Sequence, residues 1–274
     1  MKNKNSDSNF YYAFKLLPAK KREAMKTFYL FSHISDELVD NYQKSIEEKT
    51  NDFENWVNEF NKALKGSSSN RLLVNITNII QEFKIPEKYF IELLDGIKSD
   101  LTFRQPETFE DLENYAYSVA STVGLITIHI FGFTNSKAKE FAINLGKALQ
   151  ITNIIRDVKL DFETGRIYIP QELFKKFNYT PEELKEEITN EGFLKIMKSL
   201  DELAENFYSE AEKIFPREDY ATLYPAIAMG EIYHSLLLKI RKHNYEIFTQ
   251  KFTLSKIDKL WIVLKHILKG KMSK

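Results

Sequence analysis

An all-α fold in a single domain is predicted for this chain of 274 residues, and three observations predict it. Glycine and proline are scarce, at 9 and 7 residues, so the chain lacks the punctuation of a many-turned sheet protein. Apolar residues recur at spacings of three and four and seldom alternate, which is the period of helices packed on one face. No composition shift or long linker divides the chain, and its length suits one large core.

Taken in order, Pro18 suits the first turn of a helix, where its missing N–H costs nothing, and that helix is read from about 19 to 47. Phe53, Trp56, Val57, Phe60 and Leu64 give a second over 51–65, ended by Gly66-Ser67-Ser68-Ser69-Asn70. A third covers 71–83, and Pro86 opens a fourth over 87–99. Pro106 with Glu107, Glu110 and Asp111 starts a long helix to about Phe131, its acidic residues placed where the helix dipole favours them. Tyr115, Ser118 and Thr122 share one of its faces, and small residues such as Ala120, Ser121 and Gly124 admit either a packed helix or a substrate chain. The next helix runs over about 136–161, and Gly165 stops it. Residues 165–170 form a loop directly beyond Asp161, either a lid or a simple connection. Thr180-Pro181 reads as an N-cap with proline at the first helical position, and helices over 192–215 and 221–243 follow. The tail from Leu260 to Lys271 mixes apolar residues, a tryptophan and lysines; it can pack on the bundle or lie as a basic amphipathic helix on a membrane surface.

Composition excludes several function classes. The 39 basic and 39 acidic residues cancel, so no bulk field attracts nucleic acid. The absence of cysteine excludes disulfides, thiolate metal sites and a cysteine nucleophile. Met1 to Asp7 is polar, so no signal peptide is expected, and no run approaches a membrane span; a cytoplasmic protein, peripheral to a membrane at most, is the expectation. No P-loop or G-x-G-x-x-G occurs, and His129, His234, His243 and His266 do not fall into metal-ligand spacing with one another. Phe and Tyr, at 21 and 14 residues, suit either an aromatic core or a greasy tunnel.

Two stretches carry chemistry. At helical pitch Gln150, Asn153, Asp157 and Asp161 form one polar stripe edged by Ile, Val and Leu. Tyr29, His33, Asp36 and Asp40 form a second, again ending in two aspartates four apart. Carboxylates are rarely buried unless paired or bound to metal, so two such helices face to face would set four of them around one space. That donor set suits Mg²⁺, a hard cation that keeps several waters and bridges carboxylates to substrate phosphates. Aspartate spacing alone is a weak signal, since chance supplies roughly half of one such pair in a chain this long. The Tyr, Gln and Asn on the same faces strengthen it.

These residues resemble the squalene and phytoene synthases, which join two isoprenyl diphosphates head to head. The resemblance rests on four blocks in order: Asn9-Phe10-Tyr11-Tyr12-Ala13-Phe14-Lys15-Leu16-Leu17-Pro18; Tyr29 to Asp40; Tyr115-Ala116-Tyr117-Ser118-Val119-Ala120-Ser121-Thr122-Val123-Gly124; and Gln150 to Pro170, with its Gly165-Arg166-Ile167-Tyr168-Ile169-Pro170 end. It implies an isoprenoid-synthase-type helical bundle around a central hydrophobic cavity. It implies that Asp36, Asp40, Asp157 and Asp161 hold Mg²⁺ on the substrate diphosphates, that His33, Gln150, Asn153, Arg166 and Tyr168 bind substrate, and that Tyr29, Tyr115 and Tyr233 face cationic intermediates. Farnesyl diphosphate is the favoured substrate, with presqualene diphosphate or squalene as product. A phytoene or dehydrosqualene synthase is the alternative, and a non-catalytic lipid-binding or assembly protein on the same scaffold is an alternative of another class. NADPH is left open, because reductive members of the family also lack a dinucleotide fingerprint. Five positions depart from the pattern: His33 stands for Arg, Ser32 for Cys, Glu37 for the second Asp, Asn9 for Ser, and Gln250 for a frequent Arg. The His33 exchange turns a permanent cation into a titrating one, so one diphosphate contact is expected to weaken as pH rises.

Overall fold

Pro18, already extended at φ −50 and ψ 145, leads into α1 (Ala19–Asp40), and its carbonyl accepts the first helical bond from Arg22 N–H at 2.9 Å. The computed structural model describes residues 17–272, so most of the Asn9–Pro18 block lies outside the described residues. Every regular element within them is helical.

The first helix is shorter than the 19–47 expected. Asp40 ends it, Asn41 turns extended, and Ser45 starts α2 (Ile46–Leu64) with reciprocal bonds: Glu48 N–H donates to Ser45 Oγ at 3.2 Å and Ser45 N–H donates to Glu48 Oε2 at 2.8 Å. Ser-x-x-Glu is a start signal, and it overrides the apolar period that runs across it. Next come α3 (Arg71–Glu82), capped by the Asn70 side chain, and α4 (Lys88–Ser99), which tightens into a single turn over Asp100–Thr102. The expected 107–131 helix is two helices in line. Thr108 and Asp111 box the start of α5 (Phe109–Ala116), a wider π-helical turn covers Tyr117–Ser121, and α6 (Thr122–Phe131) continues. Thr122 Oγ1 donates back to the Ser118 carbonyl at 2.6 Å inside that turn, a bond that competes with the regular helical ladder.

α7 (Lys137–Glu163) is the 27-residue central helix. Beyond it lie α8 (Gln171–Phe177), α9 (Pro181–Lys185), α10 (Glu191–Ile214), α11 (Tyr220–Lys242) and α12 (Lys256–Met272). α7 packs along α10 and touches α5, α6, α11 and the π turn. Its approach to the π turn needs a missing side chain: a Cβ on Gly146 would lie 2.5 Å from Ser121 Cα. Gly124 repeats the device against the Ala142 carbonyl at 2.9 Å, so the small residues of this region serve helix packing. The core is aromatic on the α1 side, where Phe28, Phe31, Phe60 and Phe90 meet at centroid distances of 5.5–5.9 Å. Ser35, fully buried there, accepts from Trp56 Nε1 at 2.9 Å. No helix among the described residues is long and apolar enough to cross a membrane.

Candidate functional site

A cavity of about 290 Å³ runs between α1, α6, α7 and α11 and the π turn. Its walls are mostly apolar: Met25, Phe28 and Phe131 on one side, Leu145, Leu149 and Met229 on the other. Val119, Ala120 and Val123 line it too, so the π turn that backs onto α7 also forms cavity wall. At one end the lining turns polar, with Tyr29, His33 and Asp36 from α1, Gln150 and Asn153 from α7, and Tyr233 from α11. Both polar stripes of the sequence therefore reach the same space. Two polar atoms in this lining, Asn153 Oδ1 and Ser32 Oγ, are buried without a hydrogen-bond partner among the described residues. A buried acceptor left empty is destabilising unless a ligand or water completes it.

Of the four aspartates only Asp36 lines the cavity; Asp40 is paired with Arg166 and Asp157 with Arg156, and Asp36 and Asp161 both feel Asp100 and Arg166. Burial pushes the Asp36 carboxyl up to about 7, with Asp40 and Asp100 adding repulsion and Arg166 offsetting part of it. One side of Asp36 still meets solvent, which places it at the cavity mouth. Burial likewise pushes Asp161 up to about 7, aided by Asp157 and opposed by Arg166 and Arg156. Asp157 is held by its neighbour Arg156, whose Nε donates to Oδ1 at 2.7 Å, and Arg156 in turn meets Tyr233. Arg166 Nη2 lies 2.8 Å from Asp40 Oδ1, so the guanidinium joins the α1 carboxylates to those at the end of α7.

Local sequence explains how Arg166 gets there. Gly165, in the left-handed region at φ +81, ends α7, and Arg166 N–H donates back to the Asp161 carbonyl at 2.9 Å while Gly165 N–H donates to Phe162 at 2.9 Å. This is the closure that a left-handed residue after a helix permits, and it folds Arg166 over the last turn beside Asp161. The loop is then tied down: Gln105 Nε2 donates to the Ile169 carbonyl at 2.8 Å and Gln171 N–H to Pro106 at 2.9 Å. These bonds seat residues 165–170 beside the carboxylates.

Sequence reasoning passed over Asp100. The Tyr115 hydroxyl donates to its Oδ2 at 3.1 Å and the Tyr168 hydroxyl to its Oδ1 at 3.2 Å, with the two rings stacked 4.9 Å apart. Burial raises the Asp100 carboxyl, while Arg166 and the two hydroxyls pull it down. Asp100 stands alone in a tight turn, outside any repeated stripe, so only its contacts give it away. Tyr29 and Tyr233 line the cavity, whereas Tyr115 and Tyr168 sit together beside Asp100. His33 stacks near Tyr29 with centroids 6.1 Å apart, and its Nε2 lies 3.3 Å from Glu37 Oε1. The two departures from the usual Arg and Asp thus contact each other.

The match of this chain to known proteins decides the family. The squalene/phytoene synthase model covers residues 3–258. The chain belongs to that family. It is 30% identical over 88% of its length to the 15-cis-phytoene synthase of Synechococcus elongatus, covering 82% of that protein. It is 29% identical to the presqualene diphosphate synthase of Zymomonas mobilis, with 94% of this chain and 88% of that one aligned. Among solved structures it superposes on a dehydrosqualene synthase with a TM-score of 0.82 and 28% identity, over 97% of this chain and 93% of the other. A squalene synthase from Alicyclobacillus acidocaldarius shares the fold, with a TM-score of 0.79. Squalene/phytoene synthases are prenyltransferases that condense isoprenyl diphosphates head to head, and this chain is one of them, built as an all-α isoprenoid-synthase bundle.

Proposed function

We propose that the protein condenses two molecules of farnesyl diphosphate, in the presence of Mg²⁺, to the cyclopropylcarbinyl diphosphate presqualene diphosphate, and on to squalene where NADPH supplies the hydride that replaces the second diphosphate. One observation carries this reading: a single apolar cavity has its polar end formed by both aspartate-bearing helices. The donor set there fits hard cations. Its carboxylates come in two pairs, Asp36 with Asp40 and Asp157 with Asp161, and Asn153 Oδ1 has no partner. Among the described residues no three carboxylate or imidazole groups converge on one point. Asp36, Asp40, Asp157 and Asp161 are the residues that would hold Mg²⁺, a hard cation that binds through few carboxylates together with water and substrate phosphate. Bound there, Mg²⁺ supplies neutralisation of the departing diphosphate.

The remaining work falls to the chain. Arg166 offers a fixed guanidinium to a diphosphate oxygen, and Gln150 and Asn153 orient the same group from α7. Ionisation breaks the C1–O bond of one substrate and leaves an allylic cation. The double bond of the second attacks it, and loss of a proton closes the three-membered ring. The aromatic faces of Tyr29 and Tyr233 can stabilise that positive charge, while the apolar lining excludes the water that would quench it. Tyr115 and Tyr168, joined through Asp100, set the wall against which the diphosphates rest.

The test is product mass after incubating purified protein with Mg²⁺ and either farnesyl or geranylgeranyl diphosphate, with and without NADPH. Presqualene diphosphate or squalene supports the proposal. Phytoene from the longer substrate assigns the protein to the carotenoid branch, the function named for several relatives. A folded protein that consumes neither substrate is the scaffold reading.

A further inference from the structure

Gly230 lies midway along α11, where glycine is disfavoured against alanine and no turn or left-handed backbone asks for one. What it provides is space. A Cβ built there would lie 2.9 Å from Leu145 Cδ1, with Leu145 Cδ2 at 3.7 Å and Cγ at 3.9 Å as its next neighbours. The added methyls of Gly124 and Gly146 meet backbone of another element, whereas this one meets only the tip of a side chain that can change rotamer. Leu145 lines the cavity; Gly230 does not, and stands behind it. Along α7 Leu145 is about 7.5 Å from Gln150 and about 12 Å from Asn153, so it belongs to the apolar half. Beyond it Phe141 lines the same wall, held edge-on by Phe215 with ring centroids 5.0 Å apart. Leu145 is otherwise buried in the core, so the open space beside it is the cavity.

We propose that Gly230 and Leu145 form a pair that sets the width of the apolar half of the cavity, and with it the length of prenyl chain that can be held. Gly230 is the positioning residue: it lets Leu145 lean back against α11 and leaves the passage open. A side chain at 230 pushes the Leu145 methyls forward into that passage, because the core around them is close-packed. The polar end carried by Gln150 and Asn153 is more than one turn distant along α7 and is left as it is. This role rests on the reading above that prenyl diphosphates occupy the cavity. Within that reading, the loss on narrowing grows with the number of isoprene units, because a longer chain has more carbon to place beyond Leu145.

The experiment is calorimetric titration of the full chain, at one Mg²⁺ concentration, with geranyl, farnesyl and geranylgeranyl thiodiphosphates, whose carbon–sulfur bond resists ionisation. Gly230→Ala should bind the ten-carbon chain as wild type does and the twenty-carbon chain about tenfold more weakly, with the fifteen-carbon chain between them. Leu145→Ala should shift the preference the other way. The double variant should match Leu145→Ala, since the atoms that the new methyl meets are gone. Leu145→Phe narrows the passage with Gly230 in place, and so reports on it even if Gly230→Ala does not fold; it too should weaken the longest chain most. An equal change for all three chains, no change, or a double variant as weak as Gly230→Ala overturns the proposal, as does a wild type that binds none of them. Binding is read without turnover. A response graded by chain length in a protein that forms no product sinks the proposed condensation and leaves the pair standing, while product formation with unaltered chain preference in the variants does the reverse.

Discussion

Burial and neighbouring carboxylates push the Asp36 and Asp161 carboxyls up to about 7 from near 4, with the Asp36 share screened because that residue is exposed. A raised carboxylate stabilises the fold only while protonated, so this contribution is complete below pH 4 and lost as pH rises to 7. The metal-free protein is therefore expected to melt a few degrees lower at pH 8 than at pH 5, and Mg²⁺ with diphosphate should raise the midpoint more at pH 8, as calorimetry at the two pH values will show. Asp161→Asn should lower turnover about 10²- to 10³-fold while leaving the metal-free protein as stable as wild type or more so. Asp100→Asn removes the charged acceptor of two tyrosine hydroxyls, and kcat/KM is expected to fall about tenfold with circular dichroism unchanged. At position 33 the side chain contacts Glu37, and His33→Arg, which places a permanent cation with more donors there, should raise the rate at pH 8.5 by about fivefold. Of this site, the two stripes were legible because helical pitch puts their members on one face. Asp100 was not, because its role arises from Tyr115, Tyr168 and Arg166, all distant in the chain, and Arg156 was not, because an Arg-Asp neighbour pair gives no helical periodicity to mark it.

Helices were read well where composition and caps agreed and poorly where one contradicted the other. The break after Asp40 is written in Ser45 and Glu48, a local signal that an unbroken apolar period conceals. The π turn over Tyr117–Ser121 has no cap at all; it follows from Thr122 bonding back to Ser118 and from the need to admit Gly146. Gly146→Ala makes that need measurable. Its new methyl would meet backbone, which cannot swing aside, so the two elements must separate at a cost of about 1–3 kcal/mol by denaturant titration. Because Val119 and Ala120 stand on the displaced turn, KM for the lipid substrate should change as well. The tail is the element for which sequence offered two fates, packing or exposure. The structure gives α12 one face for the bundle and another facing outward.

At the scale of the molecule, the arrangement is a long central helix with one wall of a greasy cavity built on it and Asp157 and Asp161 in its last turns. The cavity itself could not be read from composition, since Phe and Tyr serve core and tunnel alike. Here Phe31, Phe60 and Phe90 fill the core, while Phe28, Phe131 and Phe141 reach the cavity lining. The central claim is that the paired carboxylates act across this cavity to release diphosphate from one lipid and join its carbon to a second. The most direct test is the mass of the lipid formed from farnesyl diphosphate by wild type and by Asp36→Asn, each with Mg²⁺ and with a chelator. A thirty-carbon product from wild type that requires the metal and nearly vanishes in the variant is predicted. A folded wild type that leaves the substrate intact, or an Asp36→Asn protein that matches it, would contradict the account.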